Sequence, residues 1–426
     1  MQRVADSSRP SPSGVLIWCG VLHAMTHSFH VVLMPLYLPI HRDLGLPDVA
    51  GATSLMSIQM LAYFLPSYGL GILADRYDRR YLLGGGLLIN GIGFVGLGLS
   101  PSFSWAVVSV IVAGLGGSCY HPAATALIAE RFPREQGRAF GLVGVGANVG
   151  FLCIPVYAGW RWDRTAAIRG DAGWRDPVIE LGFLAVLLAL GFLVGTRHWP
   201  RREAEAPPRE RWAPILSSGR NWVLFLAAAL AFSLRDFAGM GMGSLGTLFL
   251  QQAHGFTAAA TGVALSAIFL AAIVSNPLFG KLSDRHRYGW ILVVMTLAGF
   301  CVLGFPWLPR WGLLPGLMTY GFFFMACYPM IEAALMDSVP SASRGRLFGL
   351  FILISGMLGN FSHWGIGKWV AEMGPLAAEP ASYRVGFGAL AILIWLSMIG
   401  LLCLQMLGCR STGALREPVR APGDDV

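Results

Sequence analysis

Three histidines near the start of this 426-residue chain stand inside a long apolar stretch, where ionisable side chains are uncommon. His23, His27 and His30 are separated by four and three residues, so in a helix they lie within a narrow arc of one face. At a rise of about 1.5 Å per residue, they fall near the middle of a helix that spans a lipid bilayer. An ionisable side chain at that depth usually faces a cavity or a polar partner.

These three histidines are open to three interpretations. Histidine titrates near neutral pH, so they bind a proton or contact a substrate; as neutral side chains they hold neighbouring helices together through hydrogen bonds; or they ligate a metal ion. The metal interpretation is the least favoured, because no aspartate or cysteine joins the group in the sequence. We therefore assign them as candidate proton or substrate contacts and predict no metal site and no cofactor.

Charged and imidazole side chains also interrupt later apolar stretches. Arg235 and Asp236 are adjacent near the middle of one, where a buried charge costs about 3 kcal/mol or more. Neighbouring positions on a helix point about 100° apart, so the two need not pair with each other. We expect Arg235 to bind an anionic substrate group and Asp236 to carry a coupling proton, against the alternative of a structural ion pair with another helix. The remaining candidates for proton or substrate contact are His121, Glu332 and His363.

The composition of the chain places these residues in a membrane protein. Only 13% of the residues are charged and 55% are hydrophobic, whereas a soluble domain has about 25% charged residues. The net charge of +8 is spread over many short loops, which excludes a nucleic-acid-binding face. The seven cysteines lie in or beside apolar stretches and indicate neither a disulfide framework nor a thiolate metal site.

Twelve apolar stretches follow one another along the chain, each of about 20 residues, the length that spans a bilayer as a helix. Strands are excluded, because the stretches are too long and because a backbone in lipid must satisfy its own hydrogen bonds. The predicted spans are 14–37, 50–72, 80–99, 103–127, 138–158, 179–197, 221–250, 258–280, 289–307, 312–337, 346–370 and 384–407.

Lysine and arginine are distributed unequally between the two sides of the predicted membrane. With the N-terminus inside, 22 of the 31 fall on the inner side and 8 on the outer side, while Arg235 lies within a span. The positive-inside rule therefore predicts that both termini are cytoplasmic. We predict an N-terminal six-helix bundle at 1–197, a cytoplasmic linker at 198–220, a C-terminal six-helix bundle at 221–407 and a cytoplasmic tail at 408–426.

A charged turn occurs twice in the chain. Residues 71–80 read GILADRYDRR, and residues 280–287, which begin 209 positions later, read GKLSDRHR. The pairs Cys-Tyr at 119 and 327 and Gly-Arg at 137 and 345 repeat with an offset of 208. The chain is therefore predicted to be an all-α membrane protein whose twelve transmembrane helices form two pseudosymmetric six-helix bundles, as in transporters built from parallel repeats.

These features together resemble the major facilitator superfamily of membrane transporters over essentially the whole chain. The resemblance rests on the six-plus-six helix pattern, the central polar loop, the repeated Gly-x-Leu-x-Asp-Arg turn and the Gly-Trp-Arg at 173–175. The Tyr-His-Pro at 120–122 is similar to fosmidomycin-resistance-type exporters, although Ala123 stands where they carry glutamate. The Arg-x-x-Gln-Gly motif of multidrug proton antiporters is not found in the sequence.

The resemblance implies that the charged turns form a gate, in which the aspartates hold the two bundles together on the cytoplasmic side and release them as the bundles rock. The two glycines would permit close approach of the backbones. The alternative is that the arginines only anchor the loops inside. The predicted gating residues are Gly71, Asp75, Arg76, Arg79, Arg80 and Glu130 in the first half, and Gly280, Asp284, Arg285 and Asp337 in the second.

The function predicted from the sequence is secondary active transport by alternating access, in which the binding site opens to each side of the membrane in turn. We expect proton-coupled export of a small amphiphilic or anionic compound across the inner membrane, by a protein that functions as a monomer. The alternative is a proton-coupled uptake symporter of an organic anion. Coupling to ATP is disfavoured because no nucleotide fingerprint occurs in the sequence. An intramembrane enzyme is disfavoured because no H-E-x-x-H motif occurs and the histidines at 23, 27 and 30 have no carboxylate partner nearby in the sequence, and a receptor or scaffold because there is no large soluble domain.

Overall fold

The computed structural model describes residues 12–132, 135–199, 216, 218–339 and 344–411, and every regular element in these residues is helical. We call residues 12–199 the first segment and residues 218–411 the second segment. The helices of the first segment are α1 (Pro12–Ser28), α2 (Tyr37–Asp43), α3 (Val49–Phe64), α4 (Ser67–Arg76), α5 (Arg79–Gly98), α6 (Phe103–Gly117), α7 (Tyr120–Arg131), α8 (Gln136–Arg169) and α9 (Arg175–Gly195). The helices of the second segment are α10 (Gly219–Leu248), α11 (Ala258–Gly304), α12 (Leu313–Phe324), α13 (Cys327–Ser338), α14 (Arg344–Glu372), α15 (Arg384–Ser397) and α16 (Ile399–Ser411).

Eight helical stretches within the described residues are long and apolar enough to cross a membrane, and α3 is a shorter apolar helix. Helices suit this environment because their backbone hydrogen bonds are satisfied within one stretch of chain. The prediction of an all-helical membrane protein is therefore confirmed. The predicted linker and tail fall largely outside the described residues, although α16 continues to Ser411, inside the predicted tail.

The first predicted span is not one continuous helix. α1 ends at Ser28 and is followed by turns, a 3-10 helix at Met34–Leu36 and then α2. Pro35 lacks a backbone N–H and prevents the turns after α1 from continuing as a regular α-helix. The amide Nε2 of Gln59 in α3 donates to the carbonyl of Phe29 at 3.0 Å, which satisfies one of the acceptors that the break exposes. His30 therefore lies in the turn after α1, whereas the sequence predicted that it lies on the helix.

Two helices extend beyond the spans predicted from the sequence. α8 continues eleven residues beyond the predicted end of its span and ends at Arg169, before Gly170, which has a φ of 57°. Arg161 in this extension forms an ion pair at 2.7 Å with Glu180 of α9. α11 spans both predicted stretches 258–280 and 289–307, with non-helical backbone angles at His286. The second charged turn is therefore a sharp bend at that residue.

The two segments meet along two helix pairs, α3 with α14 and α8 with α11. Glycines allow this approach. A Cβ on Gly262 would overlap the carbonyl oxygen of Pro155, a Cβ on Gly159 would overlap that of Ala258, and a Cβ on Gly367 would overlap the hydroxyl of Thr53. Small residues at such crossings are typical of membrane helices, because lipid supplies no hydrophobic drive between them.

These close approaches all lie in the half of the structure away from the charged turns. We call this the far end, and the end that holds residues 77 and 286 the turn end. Side chains also connect the segments towards the far end: the amide of Gln251 donates to Pro35 O at 2.8 Å, and the backbone N–H of Ala259 donates to Asp163 at 3.1 Å.

Candidate functional site

The histidines of α1 come together with His121 of α7. The Nε2 atoms of His23 and His27 are 3.0 Å apart, and the Nδ1 atom of His23 lies 3.0 Å from the carbonyl oxygen of Val143 in α8. His121 packs at ring-centroid distances of 5.2 Å from His23 and 5.5 Å from His27. The hydroxyl of Tyr120 donates to Cys19 O at 2.7 Å, which fixes α7 against α1 and brings the next residue, His121, to the cluster.

His30 joins the same group from the turn after α1. Its ring lies 4.9 Å from that of His27 and 4.7 Å from that of Tyr63 in α3, edge-on to both. We call His23, His27, His30 and His121 the histidine cluster. No carboxylate is hydrogen-bonded to any of the four imidazoles in the described part of the chain, so the cluster is assembled from neutral and aromatic neighbours.

An aromatic pair connects the histidine cluster to the second segment. Phe151 of α8 lies 4.6 Å from His27 between ring centroids, and it stacks on Phe269 of α11 at 4.6 Å with the rings 6° from parallel. The side chain of His121, by contrast, is exposed. The cluster is therefore covered on one side by the second segment and accessible at His121.

The second group of charges lies on α10. Arg235 is 3% exposed and Asp236 is 7% exposed, and Arg235 donates to the Oδ1 atom of Asp236 from Nε at 3.0 Å and from Nη2 at 2.7 Å. Arg235 and Asp236 thus pair with each other, although side chains at adjacent positions of a helix point about 100° apart. The Nη1 atom of Arg235 is buried without a hydrogen-bond partner among the described residues. One guanidinium donor is therefore available for a ligand.

Tyr328 and Glu332 on α13 line the other side of Arg235. The guanidinium carbon lies 4.2 Å from the centroid of the Tyr328 ring, a cation–π contact that helps to hold the buried charge. Glu332 is one turn after Tyr328 on the same face of the helix. Its carboxylate makes no ion pair with the described residues.

His363 lies in a different place from the other site candidates. It is buried in α14, and its Nδ1 atom is 2.7 Å from the hydroxyl of Ser244 in α10. The hydroxyl of Tyr37, in α2 of the first segment, lies 3.3 Å from the same Ser244 oxygen. These three side chains form a hydrogen-bonded bridge between the segments, which lies between the Arg235–Asp236 pair and the far end.

The first charged turn is held by arginines at the start of α5. Arg79 pairs with Glu130 of α7, and it donates to the carbonyls of Ala74 at 3.2 Å and Ala126 at 3.0 Å. Arg80 pairs with Asp78 and donates to the carbonyls of Thr196 and Trp199 at 2.8 Å, just beyond the end of α9. A cation at this position also complements the negative end of the helix dipole of α9.

The second charged turn repeats part of this arrangement. Arg287 pairs with Asp337 of α13, and these residues correspond to Arg79 and Glu130 within one position of the 208-residue offset. Asp284 and Arg285, which the sequence favoured, are exposed and form no ion pair with described residues. The side chains of Asp75 and Arg76 lie outside the described part of the chain.

The two motif glycines do not make close helix contacts in this structure. A Cβ added to Gly71 or Gly280 would meet no atom within 4 Å. The expected close approach at these glycines is thus not present in this conformation, because the segments interlock at the far end instead.

Several residues around the site were not selected from the sequence. Tyr63 and Phe151 contact the histidine cluster, and Tyr37 and Ser244 form the bridge to His363. Nothing in the local sequence distinguishes them from ordinary apolar or small residues of a membrane helix. Tyr120 could have been found, because it stands in the Tyr-His-Pro sequence beside His121.

A multi-pass helical membrane protein that holds a buried ion pair in one segment and a cluster of histidines in the other has the organisation of a transporter. The chain belongs to the Major Facilitator Superfamily, whose family model matches residues 16–363. It is therefore a transporter of this superfamily and not an enzyme.

Relatives with known roles include efflux proteins. The chain is 25% identical over 358 residues to the multi-drug resistance efflux pump PmrA of Streptococcus pneumoniae, covering 81% of this chain and 86% of that protein. It is 26% identical over 348 residues to the enterobactin exporter EntS of Escherichia coli, covering 77% of this chain and 78% of that protein.

Solved structures show the same fold at lower sequence identity. A bacterial homolog of the human lysosomal transporter Spinster, in an inward-facing and unoccupied conformation, aligns with a TM-score of 0.75 and 17% identity, covering 94% of this chain and 98% of that one. The peptide transporter POT in complex with sulfate aligns with a TM-score of 0.71 and 14% identity, covering 94% of this chain and 97% of that one.

Proposed function

We propose that this transporter exports a small amphiphilic or anionic compound across the inner membrane in exchange for protons. The observation that carries the proposal is Arg235, a buried cation near the middle of α10 whose Nη1 atom has no hydrogen-bond partner among the described residues. Such a donor is suited to an anionic group of the cargo. Export is favoured because PmrA and EntS, which the chain resembles along most of its length, are an efflux pump and an exporter.

The helix bounds support an arrangement of twelve crossings in two six-helix bundles. We combine α1 with α2, α3 with α4, α6 with α7, α12 with α13, and α15 with α16 into one crossing each. The 47 residues of α11 would extend about 70 Å at 1.5 Å per residue, which is more than twice the thickness of a bilayer core, so the bend at His286 divides it into two crossings. Both termini are then on the same side, which the arginine distribution identifies as the cytoplasm.

Proton transfer in this proposal uses residues on both segments. Asp236 and Glu332 are carboxylates beside Arg235, and the histidine cluster adds imidazoles at a similar depth in the first segment. His363 contributes through its hydrogen-bonded bridge to Ser244 and Tyr37. This bridge holds the segments together and breaks when they separate at the far end. The functional unit in this proposal is the monomer.

The charged turns act as the gate at the turn end. The pairs Arg79–Glu130 and Arg287–Asp337 each fix one turn within its own segment. We assign Asp75, Arg76, Asp284 and Arg285 to the contact between the segments when the far end opens, with Gly71 and Gly280 providing room for it. The free space around both glycines in the present conformation supports this assignment.

The proposal is tested with inverted membrane vesicles whose interior has been acidified, using a panel of fluorescent anionic and amphiphilic compounds. We expect at least one compound to accumulate inside while the pH gradient partly collapses, because an exporter exchanges internal protons for external cargo. A protonophore should abolish the accumulation. Cargo that leaves the vesicles together with protons would instead identify the uptake symporter and contradict export.

A further inference from the structure

We propose that His23, His27 and His121 form a binding site for one divalent transition-metal ion. Each of the three offers one imidazole nitrogen, and these nitrogens all lie within 4.8 Å of one another. The sequence disfavoured a metal because no aspartate or cysteine joins the histidines at 23, 27 and 30. The fold adds His121 from α7, which completes a set of three nitrogen ligands.

The distances are close to those that a metal ion requires. With bonds of about 2.0–2.1 Å to imidazole nitrogen, two ligands of a tetrahedral ion lie roughly 3.3 Å apart. The Nε2 atoms of His23 and His27 are already 3.0 Å apart, one helical turn from each other on α1. Small side-chain rotations suffice to widen this pair and to draw His121 in, because its exposed ring is the least constrained of the three.

The hydrogen bonds around the pair leave a lone pair for the ion. When the Nδ1–H of His23 donates to Val143 O, its Nε2 atom carries no proton and points at His27. His27 then donates from Nε2, while its Nδ1 atom is buried without a partner among the described residues. An ion between the two Nε2 atoms needs only the movement of the His27 proton from Nε2 to Nδ1, so both rings stay neutral and no net proton is released.

The surroundings determine the class of ion. Imidazole nitrogens suit zinc, copper and nickel, whereas calcium and magnesium prefer oxygen ligands, and no carboxylate touches the histidine cluster among the described residues. Tyr63, Tyr120 and Phe151 enclose the cluster, while the exposed side at His121 leaves a fourth position for water or an anion.

The test uses purified full-length protein carrying an affinity tag without histidines, titrated with Co²⁺ and followed by visible absorption. We expect one Co²⁺ per chain with the absorption bands of a tetrahedral ion, displaced by Zn²⁺. In His27→Gln the affinity should fall at least about 100-fold, since even residues that only orient a metal ligand contribute 10–100-fold. His30→Gln is the matched control and should retain one Co²⁺, because His30 touches His27 without being a ligand.

Two results would overturn the site: absence of stoichiometric Co²⁺ on the wild-type protein, or equal affinity in His27→Gln and wild type. If His27→Gln does not fold, X-ray absorption of the zinc-loaded wild type decides, with three imidazole ligands expected and any other ligand set contradicting the proposal. The titration contains no cargo, so its failure leaves the proposed export function untouched. A positive result leaves proton transfer to Asp236 and Glu332, because an imidazole nitrogen that binds a metal ion cannot take up a proton.

Discussion

Replacing Arg235 by glutamine should reduce proton-driven cargo flux about 100-fold, which corresponds to roughly 3 kcal/mol at 1.4 kcal/mol per factor of ten. The substitution removes the buried guanidinium that we assign to the anionic cargo group. It also leaves Asp236 as an unpaired buried carboxylate, and breaking a buried ion pair in this way costs about 3–5 kcal/mol. Flux into acidified inverted vesicles and thermal unfolding of the purified protein measure the two effects separately.

The double variant Arg235→Gln with Asp236→Asn distinguishes a functional pair from a structural one. It contains no unpaired buried charge, so we expect its unfolding temperature to return close to the wild-type value. Transport should stay lost, because both the anion donor and the proton carrier are missing. Recovery of flux together with stability would show that Arg235 and Asp236 are a structural ion pair only.

Replacing Gly262 by alanine should reduce transport at least about 10-fold, since a shift of 1.4 kcal/mol in the conformational equilibrium is enough for such a change. The added Cβ would overlap the carbonyl oxygen of Pro155, which belongs to the backbone of α8 and cannot rotate away. α11 must therefore move from α8, and the conformation closed at the far end loses stability. Flux in vesicles at equal protein levels measures the effect.

Gly289→Ala is the matched control for this prediction, because Gly289 lies on the same helix α11 and a Cβ there would meet no atom within 4 Å. Its flux should remain at the wild-type level. Normal flux in Gly262→Ala would contradict the conclusion that the crossing of α8 and α11 must close during transport.

The sequence predicted most of the fold because the dominant signals are local. Apolar stretches of spanning length and the repeated charged turn located nearly every helix, and the helix bounds of α5 and α14 agree with the predicted spans to within two residues. The same local signals were insufficient for the break after α1. Pro35 is a local signal near this break. The hydrogen bond that Gln59 donates to the Phe29 carbonyl is a contact between distant parts of the chain, so no local pattern predicts it.

The candidate site could be predicted residue by residue but not as an arrangement. His121 stands about 90 positions after the histidines of α1, and only the packing of α7 on α1 brings them together. His363 proved to lie in a separate bridge with Ser244 and Tyr37, because α14 presents it to α10 beyond Asp236. The crossing glycines Gly159 and Gly262 could not be distinguished from the other glycines of this glycine-rich chain until their partners were placed.

The rocking of the two segments about the Arg235–Asp236 pair and the histidine cluster is tested most directly by electron-spin distance measurements. Two pairs of residues are labelled, each with one residue in each segment. One pair, at Tyr77 and His286, reports on the turn end, and the other, at Ile168 and Trp311, reports on the far end; all four side chains are exposed. The seven native cysteines are first replaced, since Cys153 is exposed and would also react. The protein is then measured in lipid nanodiscs at acidic and alkaline pH. We predict that the turn-end distance shortens as the far-end distance lengthens, whereas two distances that stay fixed or change in the same direction would contradict alternating access.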